Sequence, residues 1–239
     1  MLALTRRIGR RLVAEYDTLR LGAVARQVRR ESLTYLAPAK LRSIEATLDS
    51  IRARAVPGDF LEFGVALGGS AIVIARRLDG ARRFIGFDRF ARIPPPGPRD
   101  PVEAHRRYAE IASGRSRGLG GRTYYGYLDD LQARVVATFA RHGLEVDGDR
   151  IRLVAGLFEE TLPSALGRPV AFAHVDCDWY DPVRTCLEAL APVLSPGGAV
   201  VLDDYNDYAG CRAATHDVLD RHDELALVAR TPHAIVVRR

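Results

Sequence analysis

Lysine is almost missing from this sequence. Lys40 is the single one among 35 basic residues, so the net charge of +5 rests on arginine. The arginines are scattered rather than run together, and no helix-turn-helix, zinc-finger or RNP-type pattern occurs, which argues against nucleic acid as a partner. Cysteine is scarce as well: Cys177, Cys186 and Cys211 are an odd number without a CxxC pair, against both a disulfide framework and a zinc ribbon. No apolar run approaches a membrane span, and the opening MLALTRRIGRRLVAEY lacks the unbroken apolar stretch of a signal peptide. These absences point to a reducing, cytoplasmic setting without membrane contact. The P-loop pattern is absent too.

What is present is ordinary for a globular protein: 239 residues, 47% hydrophobic and 27% charged, enough for one sizeable α/β core. Ile8, Leu12, Tyr16, Leu19 and Ala23 recur at spacings of three and four, which predicts an amphipathic basic helix over residues 5–30 packed on the body or on a second subunit. A second helix is expected over 39–55, ending before Pro57-Gly58. From Asp59 short apolar runs alternate with helix-length segments: strands at 60–65, 83–88, 151–155, 170–176 and 199–203, with helices at 69–78, 183–193 and 213–221. That alternation means βαβ units and a mainly parallel, doubly wound sheet. Two last strands, 225–229 and 234–237, are joined by a short turn and should form an antiparallel edge. The expected organisation is an N-terminal helical extension (1–56), acting as lid or dimer contact, and an α/β domain (57–239). RIPPPGPRDP (92–101) reads as a stiff connector, and the Gly/Arg/Tyr-rich stretch at 113–127 as a lid or surface loop.

LEFGVALGGS (61–70) is a strand running into a glycine-rich turn and then a helix. Glycines let a ligand approach the backbone, and the helix start favours anionic groups. The spacing Gly64, Gly68, Gly69 is not that of a dinucleotide turn. Glu62, just before it, would repel a pyrophosphate but suits a cationic ligand such as the ammonium of S-adenosylmethionine (SAM). Asp88 ends the second strand, where a carboxylate accepts hydrogen bonds from ribose hydroxyls. A nucleoside ligand is the joint reading.

Ligands of open α/β sheets bind at the carboxyl ends of the strands. HVDCDWYD (174–181) ends one strand and VVLDDYND the next, so Asp176, Asp178, Asp203 and Asp204 are expected to converge. Carboxylates that close do not all ionise without a cation, and hard oxygen ligands suit Mg²⁺. Asp181 is set apart: it precedes Pro182 and an apolar stripe, the pattern of a helix N-cap.

PGDFLEFGVALGGSA, GFDRFARIPPP, GLFEETLP, HVDCDWYDP, LSPGGAVVLDDY and GCRAATHDVL together resemble the macrocin O-methyltransferase family, SAM- and metal-dependent enzymes that methylate sugar hydroxyls in natural-product biosynthesis. The resemblance implies a class I methyltransferase fold with Mg²⁺ as cofactor beside SAM. It implies that Glu62, Gly64, Gly68 and Ser70 hold the methionine part of SAM, that Asp88 binds ribose, and that Gly156, Leu157 and Phe158 border the adenine. Asp176, Asp203 and Asp204 match the metal ligands and Asp178 the general base. Where the family reads Asp-Ser-Phe this chain has Asp88-Arg89-Phe90, and the loop at 113–127 has no counterpart.

The expected reaction is methyl transfer to a hydroxyl of a sugar-like small molecule, with Asp178 taking the proton and two neighbouring acceptor oxygens completing the cation's shell. A catechol-like acceptor and a non-catalytic SAM-binding subunit are the alternatives, and a homodimer is the expected assembly. Trp179 is a candidate wall of the acceptor site. His174, His216 and His233 lack a partner at metal spacing and read as core or surface residues, and strand alternation turns Cys177 away from the aspartates.

Overall fold

Five strands alternate with helices, and each finds its neighbour by parallel pairing in a computed structural model that describes residues 16–239. β1 (Asp59–Phe63), β2 (Phe84–Asp88), β3 (Ile151–Ala155), β4 (Val170–Val175) and β5 (Leu194–Leu202) are parallel, and β7 (Ala234–Arg238) adds antiparallel to β5, with β6 (Leu225–Ala229) antiparallel to β7 at the edge. The order is β3-β2-β1-β4-β5-β7-β6, so the chain reverses direction across the sheet between β1 and β4. This is where a doubly wound sheet opens a crevice at its strand ends.

β1 and β4 are buried along their whole length, as central parallel strands must be. Alternation sorts their side chains into two cores. On one face Phe60, Phe84 and Phe172 pack with Leu41, Ile44 and Leu48 of α2 (Pro38–Ala53), with Ile72 of α3 (Gly69–Ala75) and with Phe139 of α5 (Leu131–Arg141). On the other, Leu61, Phe63, Phe87 and Val175 pack with Leu187 and Leu190 of α7 (Tyr180–Leu190) and Val218 of α8 (Ala209–Leu219). The remaining helices are α1 (Ala23–Arg30), α4 (Val102–Ala112) and α6 (Phe158–Ala165).

The helix expected over residues 5–30 is interrupted. Residues 16–20 are helical, the chain then extends through Gly22 (φ −60°, ψ 160°), and α1 begins at Ala23. The Gly22 N–H donates to Glu45 Oε2 at 3.0 Å, which anchors the break to α2. The buried stripe is Leu21, Ala25 and Val28, whereas Tyr16 and Leu19 of the expected stripe are exposed. Ile8 and Leu12 lie outside the described residues. These helices do not form a separate layer: Val28, Leu41, Leu48 and Ile51 belong to the same core as Phe60 and Val201. No helix among the described residues is long and apolar enough to cross a membrane.

Candidate active site

The carboxyl ends of β1, β2, β3, β4 and β5 deliver Gly64, Asp88, Gly156, Asp176 and the pair Asp203–Asp204 to one crevice, which divides into two adjoining cavities of about 380 and 490 Å³. Gly64, Asp176, Asp178, Tyr125 and Trp179 line both.

The first cavity is bounded by Asp88, Gly156, Leu157 and Phe158, the residues expected around ribose and adenine. Asp88 is buried; its Oδ2 accepts from Ala66 N–H at 2.8 Å and its Oδ1 from Phe90 N–H at 2.6 Å. Burial raises its pKa against the opposing effect of the backbone amides of Ala66, Phe90 and Val65. Gly156 (φ +144°) and Gly64 (φ +95°) take backbone shapes that glycine adopts without strain. At Gly64 the approach is closer than any side chain allows, since a β-carbon would sit 1.9 Å from the Asp176 carbonyl oxygen. The Asp176 N–H donates to Phe63 O at 2.8 Å, so the ends of β1 and β4 are clasped together.

Three expected cofactor residues line neither cavity. Gly68 is the left-handed N-cap of α3, packed on Val135 and Phe139. Ser70 is buried in the first turn of that helix. Glu62 lies within the sheet, fully buried, and its Oε1 pairs with His174 Nδ1 at 2.8 Å. It supports the strand ends from below.

The second cavity holds the acidic group. One oxygen from each of Asp176, Asp203 and Asp204 lies within 4.8 Å of the others. Asp178 joins them: it has a left-handed backbone (φ +59°), and its N–H donates to Asp204 Oδ2 at 2.9 Å. Burial pushes Asp176 and Asp204 well above the usual carboxylate range, and the neighbouring carboxylates add to it. Asp178 is raised to about 7 by the same causes. Burial acts on Asp203 too, but His174, His233 and Lys40 outweigh it and hold that group below the usual range. Three clustered carboxylates, of which only Asp203 makes an ion pair among the described residues, fit a hard divalent cation as ligands. Cys177 is buried and packs in the core with Cys186 and Cys211, and all three thiols are free.

The helix behind the cluster starts earlier than the sequence suggests. Trp179, not Asp181, stands at the N-cap of α7, and Asp181 lies in its first turn with a half-exposed side chain. The cap comes from far along the chain: Asp100 Oδ1 accepts the Tyr180 N–H at 2.8 Å, and Asp100 Oδ2 accepts that of Gly97 at 3.0 Å. The proline-rich connector thereby becomes part of the site, with Pro94 O accepting from Trp179 Nε1 at 3.0 Å. Trp179 is buried, stands edge-on to Tyr208 at 5.1 Å between ring centres, and lines both cavities. Tyr124 and Tyr125 of the 113–127 loop face the second cavity as well.

The sequence marked Lys40 only as the single lysine and read His174 and His233 as core or surface residues; both histidines are fully buried. All three surround Asp203: Lys40 Nζ lies 2.9 Å from Oδ2, and His174 Nε2 and His233 Nδ1 lie 3.9 and 3.7 Å from Oδ1. His174 carried a signal, because a residue two before Asp176 on a strand shares its face. His216 pairs instead with Tyr205 Oη at 2.9 Å, outside the cluster.

Comparison with known proteins places the chain in a family. A model of the macrocin-O-methyltransferase (TylF) family matches residues 14–225. The Streptomyces olivaceus 8-demethyl-8-(2,3-dimethoxy-alpha-L-rhamnosyl)-tetracenomycin-C 4'-O-methyltransferase is 35% identical over 187 residues, 77% of this chain and 66% of that protein. The mycinamicin III 3''-O-methyltransferase of Micromonospora griseorubida is 31% identical over 208 residues, 82% of this chain and 75% of that one. This chain therefore spans about two thirds to three quarters of the length of these relatives. The structure of the O-methyltransferase NovP superimposes with a TM-score of 0.70 at 26% identity, covering 87% of this chain and 82% of the other. With the family model matching most of its length, the chain belongs to the macrocin O-methyltransferase family.

Proposed function

We propose that this protein transfers a methyl group from SAM to a hydroxyl of a sugar on a small molecule, with Asp178 as the base and a divalent cation held by Asp176, Asp203 and Asp204. The observation that carries the reading is the meeting of two sites in one crevice: a nucleoside-shaped cavity ending at Asp88 and Gly156, and an acidic cavity sharing Gly64, Asp176 and Asp178 with it. One relative is named for methylating a rhamnosyl tetracenomycin, which favours a sugar over a catechol-like ring.

Asp88 offers both carboxylate oxygens to vicinal ribose hydroxyls, and Phe158 with Leu157 offers apolar surface to a purine. The donor is thereby oriented along the first cavity, toward the shared wall. A bound Mg²⁺ supplies charge that lowers the pKa of an acceptor hydroxyl. Asp178 faces both cavities, so its carboxylate is positioned to take the hydroxyl proton as the oxygen attacks the methyl carbon and the sulfonium leaves as a neutral thioether. Trp179, Tyr124 and Tyr208 wall the acceptor side and exclude water. The segment before Pro57 supplies Tyr35 and Leu36, from the connection between α1 and α2, and Lys40 of α2 to that wall, which supports a lid role for the N-terminal extension.

The test is a methylation assay with isotope-labelled SAM on deoxysugar glycosides and on catechols, with and without EDTA. Activity on the glycosides that EDTA abolishes and Mg²⁺ restores is expected. Activity confined to catechols overturns the acceptor assignment, and activity indifferent to EDTA removes the cation.

A further inference from the structure

Lys40 carries the one lysine ammonium of the chain, and its side chain is only 15% exposed. It reaches from α2 into the wall of the acidic cavity, and all three of its protons are placed there. Nζ donates to the Asp203 carbonyl oxygen at 3.0 Å, to Asp203 Oδ2 at 2.9 Å and to Asp207 Oδ2 at 2.7 Å. An ammonium has three donors, so none is left for a substrate. The other carboxylate oxygen, Asp203 Oδ1, faces His174 Nε2 and His233 Nδ1, two buried nitrogens without another partner. Lys40 donates to neither Asp176 nor Asp204, and of these two Asp176 feels the nearby His174. Lys40 and a divalent ion therefore act on the same carboxylate, from a chain that otherwise uses arginine for every basic position. The choice has a physical reason: an ammonium is a compact point charge, whereas a planar guanidinium would project its fork further into the acidic cluster.

We propose that Lys40 is a built-in counter-cation of the metal site, a positioning residue that holds Asp203 while no ion is bound and competes with the ion for that carboxylate, so that divalent affinity is set below its maximum. The proposal rests on the reading of Asp176, Asp203 and Asp204 as cation ligands. It differs in sign from a purely structural role, since a structural prop strengthens ion binding and a competitor weakens it.

The experiment is calorimetric titration of the full chain with Mg²⁺, comparing wild type with Lys40→Met and with Lys40→Gln, alongside thermal unfolding with and without the ion. Removing a unit charge a few ångströms from the ion should tighten Mg²⁺ binding at least about fivefold in both variants. The ion-free variants should melt below wild type, and saturating Mg²⁺ should narrow that gap. Affinity that is unchanged or weaker in folded variants overturns the proposal. Should Lys40→Met fail to fold, Lys40→Gln alone decides by the same sign. Wild type that neither releases heat nor gains stability with Mg²⁺ removes the metal reading itself, and the proposal with it.

Discussion

Asp178 holds a backbone conformation that non-glycine residues avoid, at a cost of about 1–3 kcal/mol, and it does so between the two cavities. Asparagine tolerates the same left-handed region, so Asp178→Asn removes the proton acceptor and little else. Turnover should fall about 10²–10⁴-fold, the range of a lost general base, while Mg²⁺ affinity by calorimetry stays within a few-fold. A collapse of ion binding would make Asp178 a ligand instead. At this scale the sequence was legible where chemistry is local. Asp176, Asp178, Asp203 and Asp204 sit at successive strand ends, and their convergence follows from the parallel sheet alone. Lys40 reaches Asp203 across 163 positions and His233 arrives from the antiparallel edge, so no spacing rule marks either. Glu62 was expected at the cofactor because it flanks the glycine turn; it lines neither cavity and pairs with His174.

Elements place those residues through two contacts. Gly64 allows the Asp176 carbonyl to pass where a β-carbon would stand. Gly64→Ala should lower stability by more than about 2 kcal/mol, from strain and from the clash, and should weaken Mg²⁺ binding because the end of β4 must move. Chemical denaturation and calorimetry check both; a variant as stable as wild type would contradict the clasp. Asp100 caps α7 from the connector, in the place sequence reasoning gave to Asp181. Asp100→Ala should cost about 1–2 kcal/mol, whereas Asp181→Ala should be close to neutral. The strands and helices were legible from their apolar periods, and β3 and β6 match the expected bounds. The start of α7 was not, because its cap lies 80 positions upstream of Tyr180. Nor was the break at Gly22, which depends on Glu45 of another helix.

At the scale of the whole molecule, the helices before Pro57 and the sheet share one core, with Leu48 fully buried among both. Leu48→Ala should therefore lower global stability by about 2–5 kcal/mol and leave one cooperative unfolding transition; two resolved transitions would show an independent extension. A cation bound only by the folded state should raise the melting temperature in proportion to the logarithm of its concentration above Kd, about 2.7 kcal/mol at a hundredfold excess. In the proposed reaction one crevice holds a nucleoside donor and a divalent ion side by side. The most direct test is a crystal grown with S-adenosylhomocysteine and Mn²⁺, read from the anomalous difference density. A metal peak bonded to carboxylate oxygens of Asp176, Asp203 and Asp204 is expected, with the adenosine between Asp88 and Gly156. Density for the nucleoside with no metal peak among those three carboxylates would contradict this arrangement.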